Sequence, residues 1–162
     1  MAKYAEDTQV SSIHTREEIE HLLAVHGATQ FVYGWDQDNQ RAVLAFSANG
    51  RKVRFFLPMP NRDSPEITRT PGRGQLRGME AQQREYEQAV RQKWRALFIS
   101  IKARFAAIEA EITCFEREFF YDTVLPNGKT VGECLEPQVK QAYLTGEIPS
   151  LLPMLENRNG MD

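Results

Sequence analysis

The sequence predicts an α+β fold: an N-terminal helix, a three-stranded antiparallel meander, one long amphipathic helix and a short C-terminal helix. Three β-rich runs follow one another between Gln30 and Met59. An Asn49-Gly50 pair joins the last two, the mark of a two-residue type I′ hairpin whose central residues both need positive φ. From Tyr86 to Phe119, apolar residues then recur at steps of three or four with no Gly or Pro between them.

Residues 1–12 are polar and unpatterned, and are expected to form a loose arm. The first helix is expected to start at Thr15, which has capping-box spacing to Glu18 and acids in the turn that follows. Ile19, Leu22, Leu23 and Val25 supply its apolar side, and Gly27 its stop. The strands are placed at Gln30–Trp35, Arg41–Ala48 and Arg51–Met59. The Asn-Gly turn fixes the register of the second pair. Ala48 then opposes Arg51, Phe46 opposes Val53, Leu44 opposes Phe55 and Ala42 opposes Leu57, all on one face. The other face receives Ser47 with Lys52, Ala45 with Arg54 and Val43 with Phe56, and is basic at its hairpin end. Pro58 and Pro60 end the third strand.

Residues 61–79, rich in Gly, Pro and Arg, read as a long mobile connection. The apolar stripe of Tyr86, Val90, Trp94, Leu97, Ile101, Phe105, Ile108, Ile112, Phe115 and Phe119 predicts one helix over 80–122. Such a helix would be about 60 Å long, so the sheet, the C-terminal helix or a second subunit would have to cover its seam. A homodimer through this helix is therefore a companion expectation. Residues 123–162 hold a tight turn at Pro126-Asn127-Gly128, a short helix from Val131 to Thr145 stopped by Gly146, and a tail with Pro149 and Pro153. With 162 residues the chain fits one domain: arm 1–12, helix and meander 13–60, basic connection 61–79, long helix 80–122, then turn, short helix and tail 123–162.

Hydrophobic residues make up 41% and charged residues 26%, an ordinary globular balance that excludes wholesale disorder. No run long enough to span a membrane occurs, and MAKYAEDTQVSS lacks the order of a secretory signal, so a cytoplasmic protein without a membrane partner is expected. Cys114 and Cys134 show no CxxC or Cys/His clustering and read as free thiols. The net charge of −2 hides an asymmetry: residues 1–30 carry −3, residues 31–104 carry +7 and residues 105–162 carry −6. The basic middle could face an anionic partner or neutralise its own flanks.

No catalytic motif emerges, and a non-enzymatic protein without cofactor or metal is expected. His21 and His26 are five residues apart, which does not put them on one helix face as a ligand pair. Glu109, Glu111, Glu116 and Glu118 read as a solvated helix face, and the segment Pro71–Gly78 lacks the GxxxxGK[ST] of a phosphate loop. The basic set carries more. Arg51, Lys52 and Arg54 on the hairpin, Arg73 and Arg77 in the connection, and Arg84 and Arg91 on the long helix are the candidate nucleic-acid contacts. Phe56, Tyr33 or Trp35 would be available to stack on bases if the sheet and the connection approach one another.

The segments Arg91–Leu97, Ile101–Ala103, Phe115–Phe119, Leu125–Glu133 and Leu151–Pro153, with Gly27–Phe31, resemble a group of small uncharacterised proteins of tailed bacteriophages and prophages. The resemblance implies a viral or mobile-element origin, hence a host cytoplasm, and no catalytic residues. Two functions from different classes fit: an accessory protein binding nucleic acid in replication or recombination, or a protein-binding inhibitor or modulator of a host factor such as a defence system.

Overall fold

The computed structural model describes residues 10–147 of the chain. Most of the expected arm and the expected tail, including Leu151–Pro153, lie outside the described residues. The first helix, α1, spans Ser12–Val25, one turn earlier than the Thr15 start that the sequence suggests. Ser11 caps it, its hydroxyl accepting from the His14 N–H at 3.1 Å. Thr15 is instead a fully buried residue inside the helix, and Glu18, freed from capping, reaches Arg95 at 2.6 Å. Ile19 and Leu23 are buried while Val25 is exposed, and Gly27 leaves the helix at φ +82°.

The sheet follows the predicted register. Strands β1 (Gln30–Asp36), β2 (Arg41–Ala48) and β3 (Arg51–Pro58) are antiparallel in the order β1-β2-β3. Phe46 faces Val53, Leu44 faces Phe55 and Ala42 faces Leu57, because Asn49 and Gly50 take φ of 51° and 70° and close a two-residue turn. This inner wall packs with Ile19 and Leu23 of α1 in the main core. The outer edge of β3 is paired in turn: the Arg54 N–H donates to Asp122 O at 2.9 Å and the Val124 N–H to Lys52 O at 2.7 Å.

The long helix, α3, runs from Met79 to Glu109 and buries Trp94, Phe98, Ile101 and Phe105 against the sheet and α1. It ends well short of residue 122 and is about 46 Å long, not 60. Two hydrogen bonds turn the chain at its end, from the Ile112 N–H to Ala107 O and from the Glu111 N–H to Ile108 O, both 3.0 Å. That is a Schellman cap, in which the residue that must be left-handed is Glu111, at φ 57°. Ile112 is thereby thrown outward, 77% exposed. The one-turn helix α4 (Phe115–Glu118) then folds Phe115 and Phe119 back onto Phe105. The fold itself thus covers most of the apolar seam, Ile112 excepted. Glu111→Gly is expected to raise stability by up to about 1 kcal/mol, since glycine removes the left-handed penalty. A chemical denaturation midpoint that moves down would contradict this.

The connection 61–79 is folded, contrary to the mobility its composition suggests. It contains the short helix α2 (Pro65–Thr68), whose Ile67 is buried, and a bridge between Arg69 and Leu76. Hydrogen bonds from Thr70 N–H to Gln75 O and from Arg77 N–H to Thr68 O, both 2.8 Å, hold it together. After the turn at Gly128, the last helix, α5, spans Val131–Thr145 as predicted. A reciprocal capping box starts it, with Thr130 N–H donating to Glu133 Oε2 at 2.7 Å and Glu133 N–H to the Thr130 hydroxyl at 3.1 Å. Cys114 is exposed and Cys134 half-buried, both as free thiols.

Candidate nucleic-acid interface

The seven basic residues singled out by the sequence do not form one surface. Arg51, Lys52 and Arg54 lie at the hairpin end of β3, whereas the connection carrying Arg73 and Arg77 leaves from its other end, about 23 Å away along the strand. Arg77 is mostly covered, donating to Glu66 O at 2.7 Å and pairing with Glu85 at 3.5 Å. Arg54 donates to Gly128 O and Glu133, Arg91 to Gln88, and Arg84 sits 3.7 Å from Glu80. Of these seven, only the side chains of Arg51, Lys52 and Arg73 are without such a partner among the described residues.

The charge asymmetry of the sequence is resolved within the fold. Arg95 pairs with Glu18 from the acidic N-terminal flank, and Arg104 and Arg54 pair with Asp122 and Glu133 from the acidic C-terminal one. Phe56, a proposed stacking residue, is covered by the guanidinium of Arg41 at 3.7 Å and by that of Arg54 at 4.9 Å.

Tyr33 and Trp35 have a different setting. Two residues apart on β1, they share a face and line a hollow of about 440 Å³ between α1, the sheet and α3. Tyr86, Val90 and Trp94, spaced four apart, bring the facing side of α3 to it, while Ser12 and Arg16 bring the first turns of α1. Tyr33 meets Trp94 edge to face at 5.7 Å, and the Arg16 guanidinium stands over both rings, 5.7 and 5.6 Å from their centres. Trp35 is 56% exposed and offers a free ring face. Beside it Arg62 stacks on Tyr86 at 3.7 Å and donates to Gln83 at 2.8 Å.

Neither Arg16 nor Arg62 has an acidic partner among the described residues. The hollow therefore combines an aromatic wall with the Arg16 guanidinium, and Arg62 adds a second charge at its rim; no carboxylate among the described residues pairs with either. Four aromatic rings and a small apolar remainder are the lining of a pocket that takes flat, apolar-faced ligands. Sequence reasoning reached Tyr33 and Trp35 but missed Arg16, Arg62, Tyr86 and Trp94 as their companions. The available signals were the four-residue steps Ser12–Arg16 and Tyr86–Val90–Trp94, which put each set on one helix face.

The Tyr33 hydroxyl donates to Arg16 O at 2.7 Å and so ties β1 to α1. Burial pushes the phenol well above its ordinary value; the Glu20 carboxylate adds to this and Arg16 opposes it. Because the folded value lies above the unfolded one, the contribution of this group is intact below the ordinary phenol pKa of about 10 and is lost as pH rises past it. Alkaline titration is expected to unfold the protein before Tyr33 ionises, with tyrosinate absorbance and circular dichroism changing together. Tyr33→Phe should lose its hydrogen bond yet unfold at higher pH relative to its neutral stability; an unaltered alkaline profile would contradict the assignment.

Among the described residues no group of three His, Cys, Asp or Glu could hold a metal ion, and no helix is long and apolar enough to cross a membrane. Comparison with known proteins returns no family model, no curated protein and no solved structure that matches the chain.

Proposed function

We propose that this protein is a non-enzymatic accessory factor that binds single-stranded nucleic acid, with the aromatic hollow as its contact and phage replication or recombination as its setting. The observation that carries the reading is the exposed ring of Trp35 beside two guanidinium groups without an acidic partner among the described residues, Arg16 over Tyr33 and Trp94 and Arg62 over Tyr86. Every base has a π-face, so the open face of Trp35 holds an unstacked base with little regard to sequence, and neighbouring cations take the phosphates. The first turn of α1, at Ser12, adds the positive end of a helix dipole.

The size of the cationic set makes the reading quantitative. Two phosphate contacts on a single strand give a slope of about −1.4 in log affinity against log salt, whereas seven would give about −5. Anisotropy of a labelled single-stranded oligonucleotide is expected to show the shallow slope. Trp35→Ala should weaken binding about tenfold, in line with the loss of one stacked base, and Arg16→Ala with Arg62→Ala should flatten the slope further. Absence of binding at micromolar protein, or affinity indifferent to Trp35, sinks the proposal.

A second reading, a modulator that binds a host protein such as a defence factor, is supported by the last turns of α5. Tyr143 and Leu144 stand 90% and 78% exposed there, and an exposed apolar helix face is a common protein contact. Affinity purification with and without nuclease separates the two. A partner retained after nuclease and lost on Tyr143→Ser with Leu144→Ser would favour the second.

A further inference from the structure

The aromatic hollow is not isolated. A second depression of about 360 Å³ adjoins it, and Trp35, Met59 and Tyr86 line both, so that these three side chains form a common wall. The chemistry on the two sides differs. The first hollow holds no acid. The second is lined by Gln37, Gln40, Asn61 and Asp63, with Arg62 at its side.

Asp63 is the informative residue. Its backbone N–H donates to Asn61 Oδ1 at 3.0 Å, but among the described residues its carboxylate has neither a hydrogen bond nor an ion pair. An ionised carboxylate can only accept hydrogen bonds. A base edge carrying an exocyclic amino group satisfies it, as cytosine N4 and adenine N6 do, while the O4 of thymine or uracil meets it acceptor to acceptor. Arg62, stacked on the shared Tyr86 and unpaired with any acid among the described residues, supplies positive charge for a phosphate beside the wall.

We infer that Trp35 divides a two-base site: one unstacked base lies in the aromatic hollow, and its neighbour lies in the second depression with its amino group on Asp63. The site therefore favours an amino-bearing base over thymine or uracil at that position. This rests on the reading of the protein as a single-strand binder and adds the base preference and the residue that sets it.

The test compares labelled oligo-dC and oligo-dT of equal length, both pyrimidines with weak self-stacking, against the full chain by anisotropy. Oligo-dC is expected to bind about tenfold tighter. Asp63→Asn should bring the ratio close to one, because an amide both donates and accepts, and it should leave oligo-dT binding unchanged or stronger. Asp63 is exposed and its carboxylate unpartnered, so thermal melting should show the variant folded as before. Equal affinity for the two oligonucleotides, or a ratio untouched by Asp63→Asn, overturns the two-base site while leaving single-strand binding in place. Failure of both oligonucleotides to bind overturns the site and single-strand binding alike.

Discussion

Replacing Phe119 with alanine is expected to cost about 3–5 kcal/mol of unfolding free energy, the range for deleting a fully buried phenyl ring. Phe119 is 0% exposed. Its ring centre lies 4.7 Å from that of Phe115, 5.3 Å from Phe105, 5.8 Å from Phe46 and 6.2 Å from Phe55, with the Arg104 guanidinium 5.4 Å away. One side chain thus joins α4, α3 and two strands, so the lost ring leaves a cavity whose walls belong to different elements and cannot collapse together. A domain of this kind has only about 5–15 kcal/mol in total, so the variant should be partly unfolded near its growth temperature. The melting temperature should fall by about 6–20 °C, from about 2–4 °C per kcal/mol at this chain length. Phe120→Ala, at the neighbouring half-exposed position, is expected to stay within about 0.5 kcal/mol of the parent and serves as the control. A cost for Phe119→Ala near that of the control would mean that the return of the chain after α3 is not part of the core.

That return shows where the sequence ceases to be legible. The hairpin register was readable because its cause is local: Asn49 and Gly50 tolerate positive φ, and a two-residue turn leaves only one pairing. The end of α3 depends on the same left-handed geometry, but the residue that adopts it is Glu111, which carries no such preference. Helical spacing continues across the break through Phe115 and Phe119, so periodicity alone predicted one rod. Burial of those two rings against Phe105 outweighs the strain at Glu111. The start of α1 failed for a related reason, since Thr15 and Glu18 have capping-box spacing but burial of Thr15 and the Arg95 ion pair claim them first. The candidate site was legible only in its parts. Tyr33 and Trp35 were visible as a same-face pair, yet their partners come from three other regions, and which arginines keep their charge unpaired is decided by long-range ion pairs such as Arg95 with Glu18 and Arg54 with Glu133.

The other large effect is expected at Gly132, and its sign depends on a second residue. Gly132 is buried at the start of α5, and its N–H donates to Tyr121 O at 2.9 Å. A Cβ placed there would fall 2.7 Å from Cδ1 of the Tyr121 ring and closer still to Cε1 and Cζ. The ring must then swing away and give up the hydrogen bond from its hydroxyl to Glu136, at 2.8 Å. Gly132→Ala is therefore expected to cost about 1–3 kcal/mol by overpacking. With Tyr121→Ala already in place the obstruction is gone, and alanine replaces glycine in a helix, a change favourable by up to about 1 kcal/mol. The cycle of four proteins, measured by urea denaturation, should thus show a coupling of about 2 kcal/mol with the Gly132 effect reversed in sign. Additive costs would mean that the ring does not hold α5. Next to Gly132, Glu133 has its carboxyl held below the usual range first by the Thr130 N–H and further by Arg54. A carboxyl lowered in the folded state stabilises above its unfolded pKa of about 4.3 and loses that contribution as pH falls. Glu133→Gln should consequently lose less stability on acidification than the parent, whereas Gly132→Ala, which displaces the Tyr121 ring and not the capping box, should keep the parent's acid response.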